Sequence, residues 1–288
     1  VSLVLLAWIF RFMSLNLQHN SQLYDALIVK QESSAIFNFV YRILTARRPN
    51  VLQHHVELPL ASFSLLLFST TFFVLWSYLT LETRLLTNLD QILLTFSTDI
   101  RDISVPIIDG VLIRLTLLGD EGFLYLSFSL FVMAMLLKKQ FYAAACITSA
   151  GLSTALITHA LKAYFAIPRP ELVLSPPSSF AYPSGHSSGS TVLYGLMASF
   201  IAQGMQANQR WKCYLCFSIP IVLIAFSRVL LGVHWFSDVI GGMTLGLIIC
   251  SISRVVYSYY WFEDSQPAIG KSSKNQTDFI FITCLISW

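Results

Sequence analysis

Apolar segments separated by short polar loops dominate the chain between residues 61 and 260. A helix that crosses a membrane needs about 20 mostly apolar residues, and lipid forces the backbone groups of such a segment to pair within it. The pattern therefore predicts an all-α, polytopic integral-membrane helix bundle with about six transmembrane helices. The predicted spans are 61–81, 122–137, 142–164, 188–206, 213–231 and 239–260.

The two ends of the chain and one connector depart from this pattern. Residues 1–60 show no clear span, so we leave them as an unassigned N-terminal segment, with a remnant of an upstream membrane region as one interpretation. Residues 263–288 turn polar and form a C-terminal tail, which makes 61–262 the membrane domain. The connector 82–120 is semi-polar, and its apolar spacing predicts helices that lie at the membrane interface.

Composition agrees with a membrane protein. Hydrophobic residues make up 55% of the 288 positions and charged residues only 11%, against about 25% charged in soluble domains. The formal net charge of +3 is too small to suggest nucleic-acid binding. Of the five cysteines, Cys213 and Cys216 form a CxxC, but no second pair of ligands lies nearby, so packing is the favoured interpretation.

The positions of lysine and arginine predict the orientation of the bundle. Four groups of basic residues all fall on one side of six alternating spans, and short loops rich in lysine and arginine are cytoplasmic. The connector 82–121, with seven acidic residues against three basic ones, falls on the opposite side. The loops 165–187 and 232–238 join it there, which we expect to be the extracytoplasmic face of a bacterial plasma membrane. The basic groups are Arg47 with Arg48, Lys138 with Lys139, Arg210 with Lys212, and Lys271 with Lys274.

Three permanent cations stand at helix ends on this predicted outer face. Lys162, Arg169 and Arg228 have no acidic partner within their own segments. Converging cations favour an anion, and the planar guanidinium matches two phosphate oxygens at once. Ser184 and Gly185 precede a predicted helix, where a hydroxyl, an accessible N–H group and the helix dipole also favour an anion. The sequence therefore predicts a phosphate site.

Two histidines and an aspartate add reactive groups to this site. His234 and Asp238 are four residues apart, so a helical turn places them on one face. A carboxylate on one ring nitrogen fixes the tautomer and leaves the other nitrogen free to attack phosphorus. His186 is then available to protonate the departing oxygen and afterwards to activate water.

These residues resemble the three-part signature of the type 2 phosphatidic acid phosphatase superfamily. The first part is Lys-x6-Arg-Pro at Lys162, Arg169 and Pro170; the second is Pro-Ser-Gly-His at 183–186; the third is Ser-Arg-x5-His-x3-Asp at 227–238. The resemblance implies a metal-independent lipid phosphatase that needs no cofactor and works through a phosphohistidine. It implies His234 as nucleophile, Asp238 as the residue that orients it and His186 as acid–base. The implied phosphate ligands are Lys162, Arg169, Ser184, Gly185 and Arg228.

The expected substrate is a lipid phosphate or diphosphate, of the undecaprenyl diphosphate, phosphatidylglycerophosphate or phosphatidic acid type, with membrane lipids as the surroundings. Several alternatives stay open at this stage. The three cations could instead be snorkelling side chains at a membrane interface. The two histidines and the carboxylate could instead be ligands of a zinc ion. A phosphotransferase would use the same phosphohistidine, and an anion or lipid transporter would use the same cations without chemistry.

Overall fold

The computed structural model describes residues 59–103, 106–170, 179–206 and 208–264, so most of the predicted N-terminal segment and of the tail lies outside the described residues. The all-α prediction is confirmed, because these ranges form eight helices and contain no strand. The helices are α1 Pro59–Glu82, α2 Arg84–Ile103, α3 Pro106–Leu117, α4 Glu121–Leu137, α5 Phe141–Phe165, α6 Gly185–Gln203, α7 Arg210–Leu230 and α8 Phe236–Asp264.

Each predicted span coincides with a helix, although not every helix is apolar enough to cross a membrane alone. Four helices, α1, α5, α7 and α8, are long and apolar enough, and a bent pair formed by α3 and α4 gives a fifth candidate. Helix α6 is not among them, because its first turns, GHSSGST, are polar. Most of its first three turns is buried inside the bundle instead. Because four or five other helical segments are long and apolar enough to cross a membrane, the chain forms a multi-pass membrane protein.

The connector differs in part from its prediction. Its first half forms α2, which carries charged and apolar residues as an interfacial helix would. Its second half forms the apolar helix α3, which continues into α4 across a bend of 40°. The sequence predicts both halves at the interface; in the structure, α3 together with α4 is instead long and apolar enough to enter the membrane.

Helix α8 lies at the centre of the bundle, where it contacts α1, α2, α5, α6 and α7. Two glycines let it approach α6 closely. A Cβ at Gly242 would lie 2.5 Å from the carbonyl oxygen of Ser184, and one at Gly246 would lie 2.5 Å from Cβ of Thr191. Small residues permit such contacts between membrane helices, and this one brings the start of α6 against the start of α8.

Candidate active site

The site lies at one end of the bundle, where α5 and α7 end and α6 and α8 begin. Helix α5 stops at Ala166, which adopts a left-handed conformation with φ of 50°. Proline follows at positions 168 and 170, and proline cannot continue a helix. The basic residues 138, 139, 210 and 212 lie at the opposite ends of these helices, as the sequence predicted; the other two basic groups, Arg47 with Arg48 and Lys271 with Lys274, lie outside the described residues.

His234 lies in the short loop before α8, next to Asp238 in the first turn of that helix. Its Nδ1 is 3.1 Å from Oδ2 of Asp238, and the same oxygen accepts a hydrogen bond from the backbone N of Trp235 at 2.8 Å. Both side chains are almost fully buried, and the other carboxylate oxygen, Oδ1, has no partner among the described residues. The carboxylate therefore holds the imidazole in a fixed orientation.

Arg169 determines the tautomer of His234. One of its Nη1 hydrogens points to Nε2 of the imidazole across 3.1 Å. A guanidinium can only donate, so Nε2 must be the unprotonated nitrogen and Nδ1 the one that carries the proton and donates to Asp238. Burial first, and then Arg169 and the other cations, hold the pKa of His234 well below its usual value of 6.5. The lone pair that a nucleophile needs is therefore present at neutral pH.

The three cations hold the surrounding segments together. Lys162 donates to the carbonyl oxygens of Phe180 and Ala181, at 2.5 and 3.1 Å. Arg169 also donates to Ser179 and to the carbonyl oxygen of Val233.

Arg228 has a donor that no group among the described residues accepts. Its side chain is 9% exposed, and Nη1 donates to Oγ1 of Thr116 at 2.8 Å. Its buried Nε has no partner in the described part of the chain. A buried donor without an acceptor costs about 1–3 kcal/mol, and a bound anion would remove that cost.

Ser184 and Gly185 begin α6. Ser184 is fully buried and caps the helix, because its Oγ accepts from the backbone N and the Oγ of Ser187, at 3.5 and 3.1 Å. Its hydroxyl proton is left for another acceptor. A Cβ at Gly185 would meet only Cγ2 of Thr158, at 3.8 Å, which is ordinary contact. Packing within the protein therefore does not explain a glycine here.

His186 follows in the first turn of α6, with 18% of its side chain exposed. Lys162, Arg169 and Arg228 all act electrostatically on both His186 and His234. The structure thus brings every residue of the predicted site to the same end of the bundle.

Several residues of this region carry no sequence motif. Thr116 binds Arg228, Ser179 binds Arg169, and Oδ1 of Asp120 lies 4.0 Å from Nε2 of His186. Asp90 of α2 accepts hydrogen bonds from the backbone N and the Oγ of Ser237, at 2.9 and 2.6 Å. The one available signal was an acidic residue before an apolar run at Asp120, and it indicates a helix start rather than a site.

The donor set does not favour a metal ion. Among the described residues no group of three or more histidine, cysteine and acidic side chains is placed to hold one. The cations beside the two histidines would also repel a dication.

The family comparison matches residues 141–263 to the PAP2 superfamily. Over 97 residues the chain is 36% identical to a phosphatidylglycerophosphatase B of Bacillus subtilis (strain 168), which covers 33% of this chain and 48% of that protein. Over 87 residues it is 36% identical to an undecaprenyl-diphosphatase of Sulfolobus acidocaldarius, covering 28% of this chain and 36% of that protein. The matched part thus spans about half the length of these relatives or less.

A solved structure gives the same fold. The crystal structure of a transmembrane PAP2-type phosphatidylglycerolphosphate phosphatase from Bacillus subtilis aligns with a TM-score of 0.56 and 23% identity. The alignment covers 74% of this chain and 98% of that one.

Proposed function

We propose that this chain is an integral-membrane phosphatase of the PAP2 superfamily, whose model matches residues 141–263, and that it hydrolyses a lipid phosphate or diphosphate without a metal ion. One observation carries the proposal: Nε2 of His234 is unprotonated, because Arg169 donates a hydrogen bond to it, and Asp238 fixes the ring from the Nδ1 side. A nucleophilic nitrogen surrounded by cations suits attack on an anionic phosphorus centre.

The reaction proceeds in two displacements. Nε2 of His234 attacks phosphorus, the bond to the leaving oxygen breaks, and His186 gives that oxygen a proton. His186 then takes a proton from water, which attacks the phosphohistidine and frees both phosphate and His234. Asp238 stabilises the positive charge on the phosphorylated imidazole, and Lys162, Arg169 and Arg228 balance the charge on the phosphoryl oxygens.

Three features of the phosphate ligands support their role. Nε of Arg228 is a buried donor that lacks an acceptor within the described ranges, the Ser184 hydroxyl keeps a proton to donate, and Gly185 leaves room at a helix start. Backbone N–H groups at a helix start bind phosphate oxygens.

The position of the site supports this substrate class. Phosphate ligands at helix ends would lie at the membrane boundary, where a head group reaches them while the acyl or prenyl tail stays in lipid. Both curated relatives act, by their names, on lipid phosphates or diphosphates. Candidate substrates are phosphatidylglycerophosphate, undecaprenyl diphosphate and phosphatidic acid. The basic residues at the other end of the bundle support a site on the extracytoplasmic face.

The test is phosphate release from a panel of these three lipids by purified protein, with wild type beside His234→Ala. We expect release by the wild type without an added acceptor, and none above background from the variant. His159→Ala is the matched control, because this histidine is exposed on α5, and it should retain activity. A His234→Ala variant that hydrolyses any of the lipids at the wild-type rate contradicts the mechanism. Phosphate transfer that requires an added acceptor would identify a phosphotransferase instead.

A further inference from the structure

The turn between α3 and α4 contacts two site residues that belong to different motifs. Thr116 at the end of α3 accepts a hydrogen bond from Arg228, and Gly119 lies against His186. A Cβ at Gly119 would lie 3.4 Å from Cδ2 of His186 and 2.5 Å from Cγ2 of Ile224. The turn is therefore packed tightly against the site, although it lies outside the residues that match the family.

Asp120 ends this turn, and its two carboxylate oxygens have different surroundings. Oδ2 caps α4 by accepting from the backbone N of Gly122 at 3.2 Å. Oδ1 faces Nε2 of His186 at 4.0 Å. That distance suits an ion pair with a protonated imidazole and exceeds a direct hydrogen bond of about 2.7–3.2 Å.

Burial lowers the pKa of His186 most, and three nearby cations lower it further. Arg228 from α7, Arg169 from the loop after α5 and Lys162 from α5 all act against a positive imidazole. His234, from the loop before α8, is held neutral. In the described part of the chain, Asp120 is the acidic group that acts in the opposite direction on His186.

We propose, on the basis of the phosphatase function above, that Asp120 is a positioning residue that acts through His186. Its carboxylate pairs with the Nε2 hydrogen, so Nδ1 becomes the nitrogen that gives a proton to the leaving oxygen. After that step the neutral ring keeps its hydrogen on Nε2, and the Nδ1 lone pair is ready to take a proton from water. The two histidines thus use opposite nitrogens: Nε2 of His234 forms the bond to phosphorus, and Nδ1 of His186 moves the proton.

The test compares Asp120→Asn with Asp120→Glu on two substrates. Asparagine is as good an N-cap as aspartate, so the first variant removes the charge and keeps the helix start. A lipid phosphate has a poor alkoxide leaving group that needs a proton, whereas p-nitrophenyl phosphate releases a stable anion that does not. The quantity to compare is kcat/KM, because it covers the steps up to phosphohistidine formation and leaves out the attack of water.

For Asp120→Asn we expect kcat/KM on the lipid phosphate to fall about ten-fold, a fraction of the 10²–10⁴ that a general acid contributes. On p-nitrophenyl phosphate we expect less than a three-fold change. The alkaline limb of the lipid profile should move to lower pH, because the carboxylate no longer favours protonated His186. Asp120→Glu should restore part of the loss. Asp99→Asn removes an exposed carboxylate on α2 and should leave kcat/KM unchanged on both substrates.

Equal losses on both substrates, or no loss on the lipid phosphate, overturn the role of Asp120. The role of Asp120 is also overturned if the variant loses activity together with a lower unfolding temperature while its pH profile does not move. These outcomes are read only against an active wild type and an inactive His234→Ala. A wild type that releases no phosphate from any lipid overturns the proposed function itself, and the role of Asp120 with it.

Discussion

Replacing Asp238 by asparagine isolates the contribution of one buried charge. The oxygen of an amide can occupy the Oδ2 position and still accept from both Nδ1 of His234 and the backbone N of Trp235. The amide nitrogen then takes the place of Oδ1, which has no partner in the described residues. The geometry and tautomer of His234 therefore survive, and only the negative charge is lost.

The magnitude follows from the 3.1 Å separation of Nδ1 and Oδ2. With an effective dielectric constant of about 20, and with the charge shared by two oxygens, the carboxylate stabilises a phosphorylated, positively charged imidazole by roughly 3–5 kcal/mol. Each 1.36 kcal/mol is a factor of ten in rate. We therefore expect Asp238→Asn to slow phosphohistidine formation by about 10²–10⁴-fold.

The assay is rapid-quench measurement of the acid-labile phosphoenzyme, together with steady-state phosphate release and thermal unfolding. Asp90→Asn is the matched control. Asp90 is also a buried carboxylate, and it accepts two hydrogen bonds from Ser237, the residue that precedes Asp238. It should lower the unfolding temperature and leave the phosphorylation rate within a few-fold. If Asp238→Asn forms phosphoenzyme within ten-fold of the wild-type rate, the electrostatic role assigned to Asp238 is refuted.

Three further perturbations have defined outcomes. Gly242→Ala places a methyl group 2.5 Å from the Ser184 carbonyl oxygen, so a denaturation assay should show a fold destabilised by about 1–3 kcal/mol. In the control Gly110→Ala the new methyl group meets no atom within 4 Å, so the stability should not fall. Equal free energies of unfolding for the two variants would contradict the close packing of α8 on α6. Burial and then Arg169 lower the pKa of His234, so Arg169→Gln should raise that pKa. The acid limb of the kcat/KM profile should then move to higher pH, because protonated His234 cannot attack. An acid limb that stays in place or moves to lower pH contradicts this coupling. Vanadate, which adopts the five-coordinate geometry of the transition state, should inhibit phosphate release, while a chelator such as EDTA should leave it unchanged; strong inhibition by the chelator that added zinc or magnesium reverses would refute the metal-free mechanism.

The sequence predicted the helices and the motif residues because both leave local signals. Apolar runs of span length marked α1, α5, α7 and α8. The spacing of His234 and Asp238 implied the contact that the structure places at 3.1 Å. Prolines 168, 170 and 183 marked the loop that precedes the Ser184 cap.

The remaining features depend on contacts between distant segments. Thr116 lies 112 residues from its partner Arg228, and Asp90 lies 147 residues from Ser237, so no periodicity could have paired them. The bend between α3 and α4 was missed because the apolar run of α3 is too short to count as a span alone. The sequence predicted the polar start of α6 as part of the site, but the burial of this turn in the bundle depends on Gly242 and Gly246 of another helix.

The bonds of Lys162 and Arg169 to backbone oxygens of residues 179–181 have a consequence for turnover. A phosphoryl group that binds these side chains has to displace the carbonyl oxygens that already accept their hydrogen bonds, and this displacement reduces its net binding free energy. The same carbonyls can recapture the cations as phosphate departs. The proposed phosphatase must release an inorganic dianion in every cycle, and the hydrogen bonds to residues 179–181 weaken its binding of that product without removing any positive charge.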